Sequence, residues 1–254
     1  MEDRAAALSR QYTTEELRAL RALREDFDPE DRFTDLVREY LSPDDVVVDI
    51  GTGTGEWLLA EVYPRVRMAL GLDYSARRLW LAAQRKAGLS ANAEFLLADA
   101  RHIPLRDNVA SAIINRRGPW TEDEDFMREG LRILAPGGLA LEITIGDQNA
   151  REFDQAFGAR TQMHSWRTRD RLKEMTALYE EHALEVLVAE SHLSTEVFPS
   201  RDALVYRLQT APGVEAFDPQ TDASPIDRVV ADHSVAEGIR LTVHRICLVA
   251  RITR

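Results

Sequence analysis

Glycines at alternate positions after a short apolar run carry the first chemical signal in this sequence. The run is Val46–Ile50, and it leads into the string Asp49-Ile50-Gly51-Thr52-Gly53-Thr54-Gly55. Glycines where a strand turns into a helix let the backbone approach a ligand without a Cβ in the way. The free amide groups of the following helix face the same space. The loop therefore predicts a ligand site at the end of this strand.

Two phosphate-binding loops fit the string poorly. A Walker-type loop needs Gly-x4-Gly-Lys-Ser/Thr, and the sequence contains no such string. A dinucleotide loop needs Gly-x-Gly-x-x-Gly, but its third glycine would fall on Glu56 or Leu58. A glutamate there would crowd the contact between helix and strand and repel a pyrophosphate. A nicotinamide-dependent oxidoreductase is therefore disfavoured.

The loop instead resembles the Asp/Glu-x-Gly-x-Gly-x-Gly loop of class I S-adenosylmethionine-dependent methyltransferases. Three later segments resemble further motifs of that family in the expected order: Gly71–Ser75, Ala98–Leu105 and Leu131–Gly138. The resemblance covers residues 44–145, about 40% of the chain, and beyond them only the order of elements matches. It implies a methyltransferase that uses S-adenosyl-L-methionine as its cofactor.

The resemblance also implies which residues bind the cofactor. Asp73 would accept the ribose hydroxyls, Asp99 would accept from the adenine amino group, and Asn115 would face the amino-acid tail or the substrate. A plainer alternative stays open, in which these aspartates only satisfy nearby backbone amides. The complete predicted set is Asp49, Gly51, Thr52, Gly53, Gly55, Asp73, Tyr74, Asp99, Ala100 and Asn115.

A second set of residues is predicted to contact the methyl acceptor. Two guanidinium groups at the cleft mouth could hold a carboxylate or phosphate, whereas the alternative pairs them with the acidic residues 122–125. The tryptophans could stack on a flat acceptor or pack in the core. Histidines titrate near neutral pH, but a surface role is equally open for His102 and His164. The predicted acceptor contacts are Arg116, Arg117, Trp120, His164 and Trp166.

The expected reaction is methyl transfer to a small or medium organic acceptor. Such a displacement needs alignment and exclusion of water, and a general base only if the nucleophile arrives protonated; no catalytic residue is assigned. The alternatives are an RNA or protein methyltransferase, which the basic stretch 160–173 motivates, and a non-catalytic nucleotide-binding sensor of the same fold. Arg116 and Arg117 argue against a metal at this site, and none is expected.

Composition narrows the partners and the compartment. The 254 residues carry a formal net charge of −11, which argues against DNA as a partner. No apolar stretch approaches the roughly 20 residues that cross a bilayer, so we expect a cytoplasmic protein without a membrane partner. The single cysteine, Cys247, excludes an intrachain disulfide and is predicted to be a core thiol. Oligomeric state stays open, including a homo-oligomer.

The elements that position these residues alternate along the chain. Apolar β-branched runs and amphipathic segments predict β-α-β units joined by crossover helices. We expect an α/β fold with a doubly wound, mostly parallel seven-stranded sheet and helices on both faces. An N-terminal helical segment is predicted over residues 1–42 and the cofactor-binding domain over 43–254. That domain is expected to carry an insertion at about 191–240 with two short helices.

Overall fold

Two compact units make up the chain in the computed structural model, which describes residues 23–24, 27–88, 92–118, 120, 123–211 and 213–253. The first, here called the sheet unit, comprises Glu30–Ile145, Leu172–Ser191 and Ile246–Arg254. The second unit comprises Met1–Pro29, Gly146–Arg171 and His192–Arg245. Residues 1–22 of the predicted N-terminal helical segment lie outside the described residues, and Leu23–Arg24 within that segment form a short strand instead of a helix. The domain boundaries and the insertion stay predictions.

The described strands number nine rather than the predicted seven. Two of them have only two residues each, too short to show an alternation of apolar and polar residues in the sequence. Both short strands pair antiparallel, one with β7 and one with β9. In chain order the strands are β1 (Leu23–Arg24), β2 (Val46–Ile50), β3 (Met68–Asp73), β4 (Ala93–Leu97), β5 (Ala110–Arg116), β6 (Leu134–Ile145), β7 (Leu184–Phe198), β8 (Ser234–Val235) and β9 (Gly238–Ile252).

Helices alternate with most of these strands along the chain. Side-chain caps fix the starts of two of them, because Ser75 accepts from the Arg78 amide and Asp123 from the Phe126 amide. No helix in the described ranges is both long enough and apolar enough to cross a membrane. In chain order the helices are α1 (Pro29–Tyr40), α2 (Leu58–Val62, of π type), α3 (Ala76–Lys86), α4 (Glu124–Ile133), α5 (Asp154–Phe157), α6 (Arg171–Glu181), α7 (Arg201–Thr210) and α8 (Ala223–His233).

The region after β6 departs in part from the sequence expectation. The stretch 146–169, which follows β6, contains α5 and three single 3₁₀ turns, Arg151–Phe153, Gly158–Arg160 and His164–Trp166. The two helices predicted within 191–240 are present as α7 and α8. The first residues of that stretch instead continue β7, which runs to Phe198.

Strand order in the sheet unit is β7-β9-β6-β5-β2-β3-β4. The strands β6, β5, β2, β3 and β4 all pair in parallel. The chain passes outward from β2 through β3 to β4, and then returns to the other side of β2 to place β5 and β6. Strand order therefore reverses between β2 and β5, and an open α/β sheet binds its ligands at the carboxyl ends of the strands at such a point.

Both faces of this sheet are covered by helices, as predicted. Alternate residues of β2 point to opposite faces, so that Val47 joins a cluster with Phe33 and Leu36 of α1, whereas Val48 joins one with Met127 of α4 and Tyr179 of α6. The second unit has an apolar core of its own, to which α5, α7 and α8 contribute. The sheet unit thus has the three-layer organisation of a doubly wound α/β fold.

Gly130 in α4 gives a test of this packing. A Cβ at this position would collide with the ring of Trp120. Gly130→Ala should lower the free energy of unfolding by about 1–2 kcal/mol, because overpacking outweighs the gain in helix propensity. Denaturant unfolding measures the change, and Arg128→Ala on the exposed side of the same helix serves as the control. Stabilisation by Gly130→Ala would contradict the packing.

Candidate functional site

A cavity of about 280 Å³ lies at the carboxyl ends of four neighbouring parallel strands. It is close to the lower end of the size range of small-molecule pockets, about 300 Å³. It occupies the point at which strand order reverses, so its position is the one that the topology favours for a ligand. Its lining residues are Ile50, Gly51, Leu72, Asp73, Tyr74, Arg78, Ala98, Ala100, Arg116, Arg117, Gly118 and Phe126.

The glycine loop presents bare backbone at this end of β2. The amides of Gly51 and Thr52 both donate to the carbonyl of Leu72 at 2.8 Å, which holds the loop against β3. Gly51 and Gly53 have φ angles of +80° and +61°, which side chains rarely adopt. A Cβ at either residue would meet nothing within 4 Å. The backbone conformation of the loop therefore favours glycine at these two positions, and the space beside them is open.

Gly55 is required for a different reason. A Cβ there would lie 2.5 Å from Cζ of Phe95 and 3.0 Å from the methyl group of Ala82. The third glycine of the motif thus lets the start of the helical segment pack closely against β4 and α3. Its predicted contact with a cofactor stays a prediction.

Asp73, at the end of β3, joins the glycine loop to α3. Its carboxylate is only 3% exposed. One oxygen accepts from the Gly53 amide at 2.8 Å, and the other accepts from the Ser75 amide at 2.8 Å. Asp73 therefore satisfies two backbone amides, and its predicted contact with a ribose stays a prediction. Each carboxylate oxygen has a second lone pair, so the same group can also accept from a ligand hydroxyl in the cavity.

Asp49 lies beneath the loop, in β2, and is 3% exposed. Burial raises its pKa to about 6, since removal from water disfavours the charged form. A hydrogen bond with Thr52 and the positive charge of Arg116 oppose this rise, whereas the charge of Asp73 adds to it. The carboxyl group of Asp49 therefore changes its charge near pH 6. A cation bound next to the glycine loop would favour the charged form.

The residues after β3 and β4 form the next wall of the cavity. Tyr74 lines it with a side chain that is 77% exposed. Ala100 also lines it, whereas Asp99 does not, although both neighbours of Asp99 do. The Asp99 side chain is largely exposed and accepts from the Arg101 amide at 2.9 Å. Recognition of an adenine amino group by Asp99 stays a prediction.

Asn115, near the end of β5, belongs to a buried polar network. Its amide nitrogen donates to Glu142 at 3.0 Å and to the Gly118 carbonyl at 3.3 Å. The Tyr179 hydroxyl donates to the other Glu142 oxygen at 2.7 Å. Burial raises the pKa of Tyr179 well above its ordinary value. Sequence reasoning missed Glu142 and Tyr179, although a lone carboxylate within the apolar strand 139–145 was a usable signal.

Arg116 and Arg117 meet at Glu30, a residue of α1. The guanidinium of Arg116 donates to one Glu30 oxygen at 3.0 Å, and Nε of Arg117 lies 3.5 Å from the other. The expected pairing with residues 122–125 is wrong for the described acids: Asp123 pairs with Arg101 and Asp125 with Arg128.

Trp120 does not reach the cavity, so the prediction that it stacks on an acceptor is wrong. It is 1% exposed and packs edge-to-face against Phe126 with ring centroids 6.1 Å apart. The glycine at position 130 leaves the space that the indole fills. Trp120 is a core residue of the sheet unit.

His164 and Trp166 lie in the second unit. His164 is half exposed, with Nδ1 4.0 Å from Asp154, and the Trp166 ring contacts the guanidinium of Arg171 at 3.8 Å. Their predicted contact with an acceptor stays a prediction. Two arginines of the basic stretch 160–173 have carboxylate partners, since Arg160 pairs with Asp222 and Arg167 with Asp154. These pairs favour a structural role for that stretch over an RNA contact.

The described ranges provide neither a cluster of candidate metal ligands nor an exposed thiol. No cluster of three or more His, Cys, Asp or Glu side chains is placed there to hold a metal ion. His102, the other candidate base, is exposed and does not line the cavity. Cys247 is fully buried in β9, which confirms the predicted core thiol.

Comparison with known proteins agrees with this geometry. The sequence profile of a family described as methyltransferase domain matches residues 47–138. A malonyl-[acyl-carrier protein] O-methyltransferase from Marinomonas sp. is 30% identical over 179 residues, which are 66% of this chain and 63% of that relative. The chain thus spans less than two thirds of the length of that curated relative.

Solved structures share the fold. A candidate methyltransferase from Bacillus halodurans superposes with a TM-score of 0.63 at 18% identity, covering 86% of this chain and 97% of that one. A geranyl diphosphate C-methyltransferase from Streptomyces coelicolor, solved with S-adenosylhomocysteine, gives a TM-score of 0.53 at 18% identity, covering 89% and 78%. The sheet unit therefore has the class I methyltransferase fold.

Asp49 makes stability depend on pH in a direction that can be tested. The unfolded chain ionises this carboxyl group near pH 3.8, whereas the folded chain does so only near pH 6. The folded state thus holds one proton more between these values, and its free energy of unfolding falls as pH rises through them. Relative to the wild type, Asp49→Asn should gain about 2 kcal/mol between pH 4 and pH 7, because each pKa unit is worth roughly 1.4 kcal/mol and part of the change already lies below pH 4. Urea unfolding at both pH values measures this, and a difference that does not change with pH would contradict it.

The backbone of Arg117 gives a second test. Its φ angle is +61°, a conformation that favours glycine, and its amide donates to the Ile143 carbonyl at 2.7 Å. Arg117→Gly should unfold with a free energy about 1 kcal/mol higher than Arg117→Ala, since both variants remove the guanidinium but only alanine keeps the strain. Thermal unfolding of the two variants measures the difference, and equal stability would argue against this backbone conformation.

Proposed function

We propose that this chain, in which residues 47–138 belong to the methyltransferase domain family and the sheet unit has the class I methyltransferase fold, is an S-adenosylmethionine-dependent methyltransferase. Its acceptor is a small or medium organic molecule. The observation that carries the proposal is the convergence of the open Gly51 backbone and the Asp73 carboxylate on one cavity, at the reversal of strand order.

The residues around the cavity fit S-adenosylmethionine in shape and charge. Bare backbone at Gly51 and Gly53 leaves space for the amino-acid tail, and Asp73 offers lone pairs to the ribose hydroxyls. Apolar wall residues suit a flat purine ring: Ile50, Leu72, Ala98, Ala100 and Phe126. The buried carboxyl of Asp49 lies below the loop and favours a cationic ligand. The cofactor carries no phosphate, so these carboxylates do not repel it.

The protein's part in the reaction is binding, alignment and exclusion of water. When bound, the cofactor supplies an electrophilic methyl group, which an acceptor atom takes up by in-line displacement. Asp73 and the glycine loop fix the donor side, because both are tied to the ends of β2 and β3. The apolar wall keeps water from the reacting atoms. No histidine or metal cluster in the described part of the sheet unit lines the cavity, and an acceptor that arrives ionised needs no base.

The guanidinium groups in the cavity wall favour an acceptor that carries negative charge. Arg116 and Arg117 both line the cavity, and guanidinium groups bind carboxylates and phosphates in planar, bidentate geometry. The Marinomonas relative is named for O-methylation of a malonyl group, a carboxylate acceptor. O-methylation of a carboxylate is therefore the reaction that we propose to assay first, by release of S-adenosylhomocysteine from S-adenosylmethionine and a malonyl thioester.

Binding of S-adenosylhomocysteine, measured by calorimetry, tests the proposed cofactor. Asp73→Ala should weaken it about 5- to 150-fold, because loss of a buried acceptor costs about 1–3 kcal/mol. Asp45→Ala is the matched control: Asp45 also accepts from a backbone amide, that of Ser42 at 2.6 Å, but does not line the cavity. The control should bind as the wild type does. Failure of the wild type to bind at millimolar concentration would overturn the proposal.

A further inference from the structure

We propose that Arg117 binds an anionic group of the acceptor, and that Glu30 is a resident counter-anion which the acceptor's carboxylate or phosphate displaces from it. This assignment deepens the proposed function, on which it rests for the identity of the acceptor. Glu30, with a side chain that is 17% exposed, touches Arg116 and Arg117, two of the three arginines that line the cavity. It therefore occupies the positions that the oxygens of an acceptor anion would take.

The two arginines are held to different degrees. Arg116 donates to Glu30 at 3.0 Å, its guanidinium lies 4.2 Å from the centre of the Trp57 ring, and its side chain is 21% exposed. Nε of Arg117 lies 3.5 Å from a Glu30 oxygen without a hydrogen bond of good geometry. The Arg117 side chain is 49% exposed. Arg116 is thus anchored by an ion pair and a cation–π contact. Of these two arginines, Arg117 is therefore the one that can exchange Glu30 for another anion at little cost in free energy.

The backbone that carries Arg117 is fixed independently of its side chain. Its amide donates to the Ile143 carbonyl at 2.7 Å, and the next carbonyl, that of Gly118, accepts from Asn115 at 3.3 Å. Asn115 is held in turn by buried Glu142. A change of partner therefore moves the guanidinium alone and leaves the loop in place. A left-handed backbone at a residue other than glycine is costly, so the contacts around Arg117 must hold it in place.

Charge balance gives a reason for an anion at this position. Two guanidinium groups and one carboxylate leave one net positive charge beside a cavity proposed to take a sulfonium cation. Like charges repel each other more strongly in the lower effective dielectric of a protein than in bulk water. An acceptor anion on Arg117 neutralises this charge, so donor and acceptor should bind with positive cooperativity.

Calorimetry with malonate and, separately, inorganic phosphate tests the proposal without requiring methyl transfer. Glu30→Gln keeps the shape of the side chain but removes the competing charge, so it should bind the preferred anion about tenfold more tightly at low ionic strength. Adding Arg117→Gly to this variant should abolish the gain while keeping the backbone unstrained. The anion that binds more tightly identifies the acceptor group as carboxylate or phosphate.

Glu190→Gln is the matched control, because Glu190 also pairs with an arginine, Arg32 of the same helix, at 2.6 Å and away from the cavity. It should bind anions as the wild type does. Equal affinity of Glu30→Gln and the wild type for both anions would overturn the proposal, as would an equal gain in Glu190→Gln. If Glu30→Gln does not fold, Glu30→Asp replaces it in the test. Its side chain is shorter by one methylene group, so the carboxylate lies farther from Arg117 and anions should still bind more tightly than to the wild type. Anion binding of this kind without binding of S-adenosylhomocysteine would leave the subsite standing and remove the proposed cofactor.

Discussion

A single carboxylate, that of Asp73, ties together the parts from which the site is built. It accepts from the glycine loop through Gly53 and from the start of α3 through Ser75, at 2.8 Å in each case. The loop itself is held to β3 by two amides that donate to Leu72. Two turns that follow different strands are thereby fixed relative to each other. Because binding sites need groups placed within a fraction of an ångström, the cavity depends on this link.

Charge in the sheet unit is arranged around the cavity in a way that suits a polar, partly cationic ligand. A neutral or charged carboxyl at Asp49 lies below the loop, Asp73 lies at its side, and the Glu30–Arg116–Arg117 cluster closes the end of β5. The fold alone does not decide the chemistry, since one fold supports many reactions. These particular charges, together with the comparison with methyltransferases, indicate which kind of ligand the cavity can bind.

The sequence patterns predicted those elements and motifs that depend on residues close together in the chain. The β-branched run Val46–Ile50 became β2 with the predicted bounds, and the glycine loop and Asp73 lie together as the motif order implied. Contacts between distant segments were missed. Glu30 and Arg116 are 86 positions apart, and no local pattern marks such a pair. Trp120 was assigned to the acceptor from its position in the chain, whereas the space left by Gly130 determines where the indole packs.

The lone thiol of the chain lies in an interior strand of the sheet unit. Cys247 is fully buried in β9, a strand flanked on both sides by β7 and β6. A thiol in that environment cannot meet an alkylating reagent until the strand itself separates from its neighbours. The rate of its modification therefore reports the opening of this strand, separately from movements of the loops at the strand ends. The protein thus carries a built-in chemical reporter that requires no engineered label.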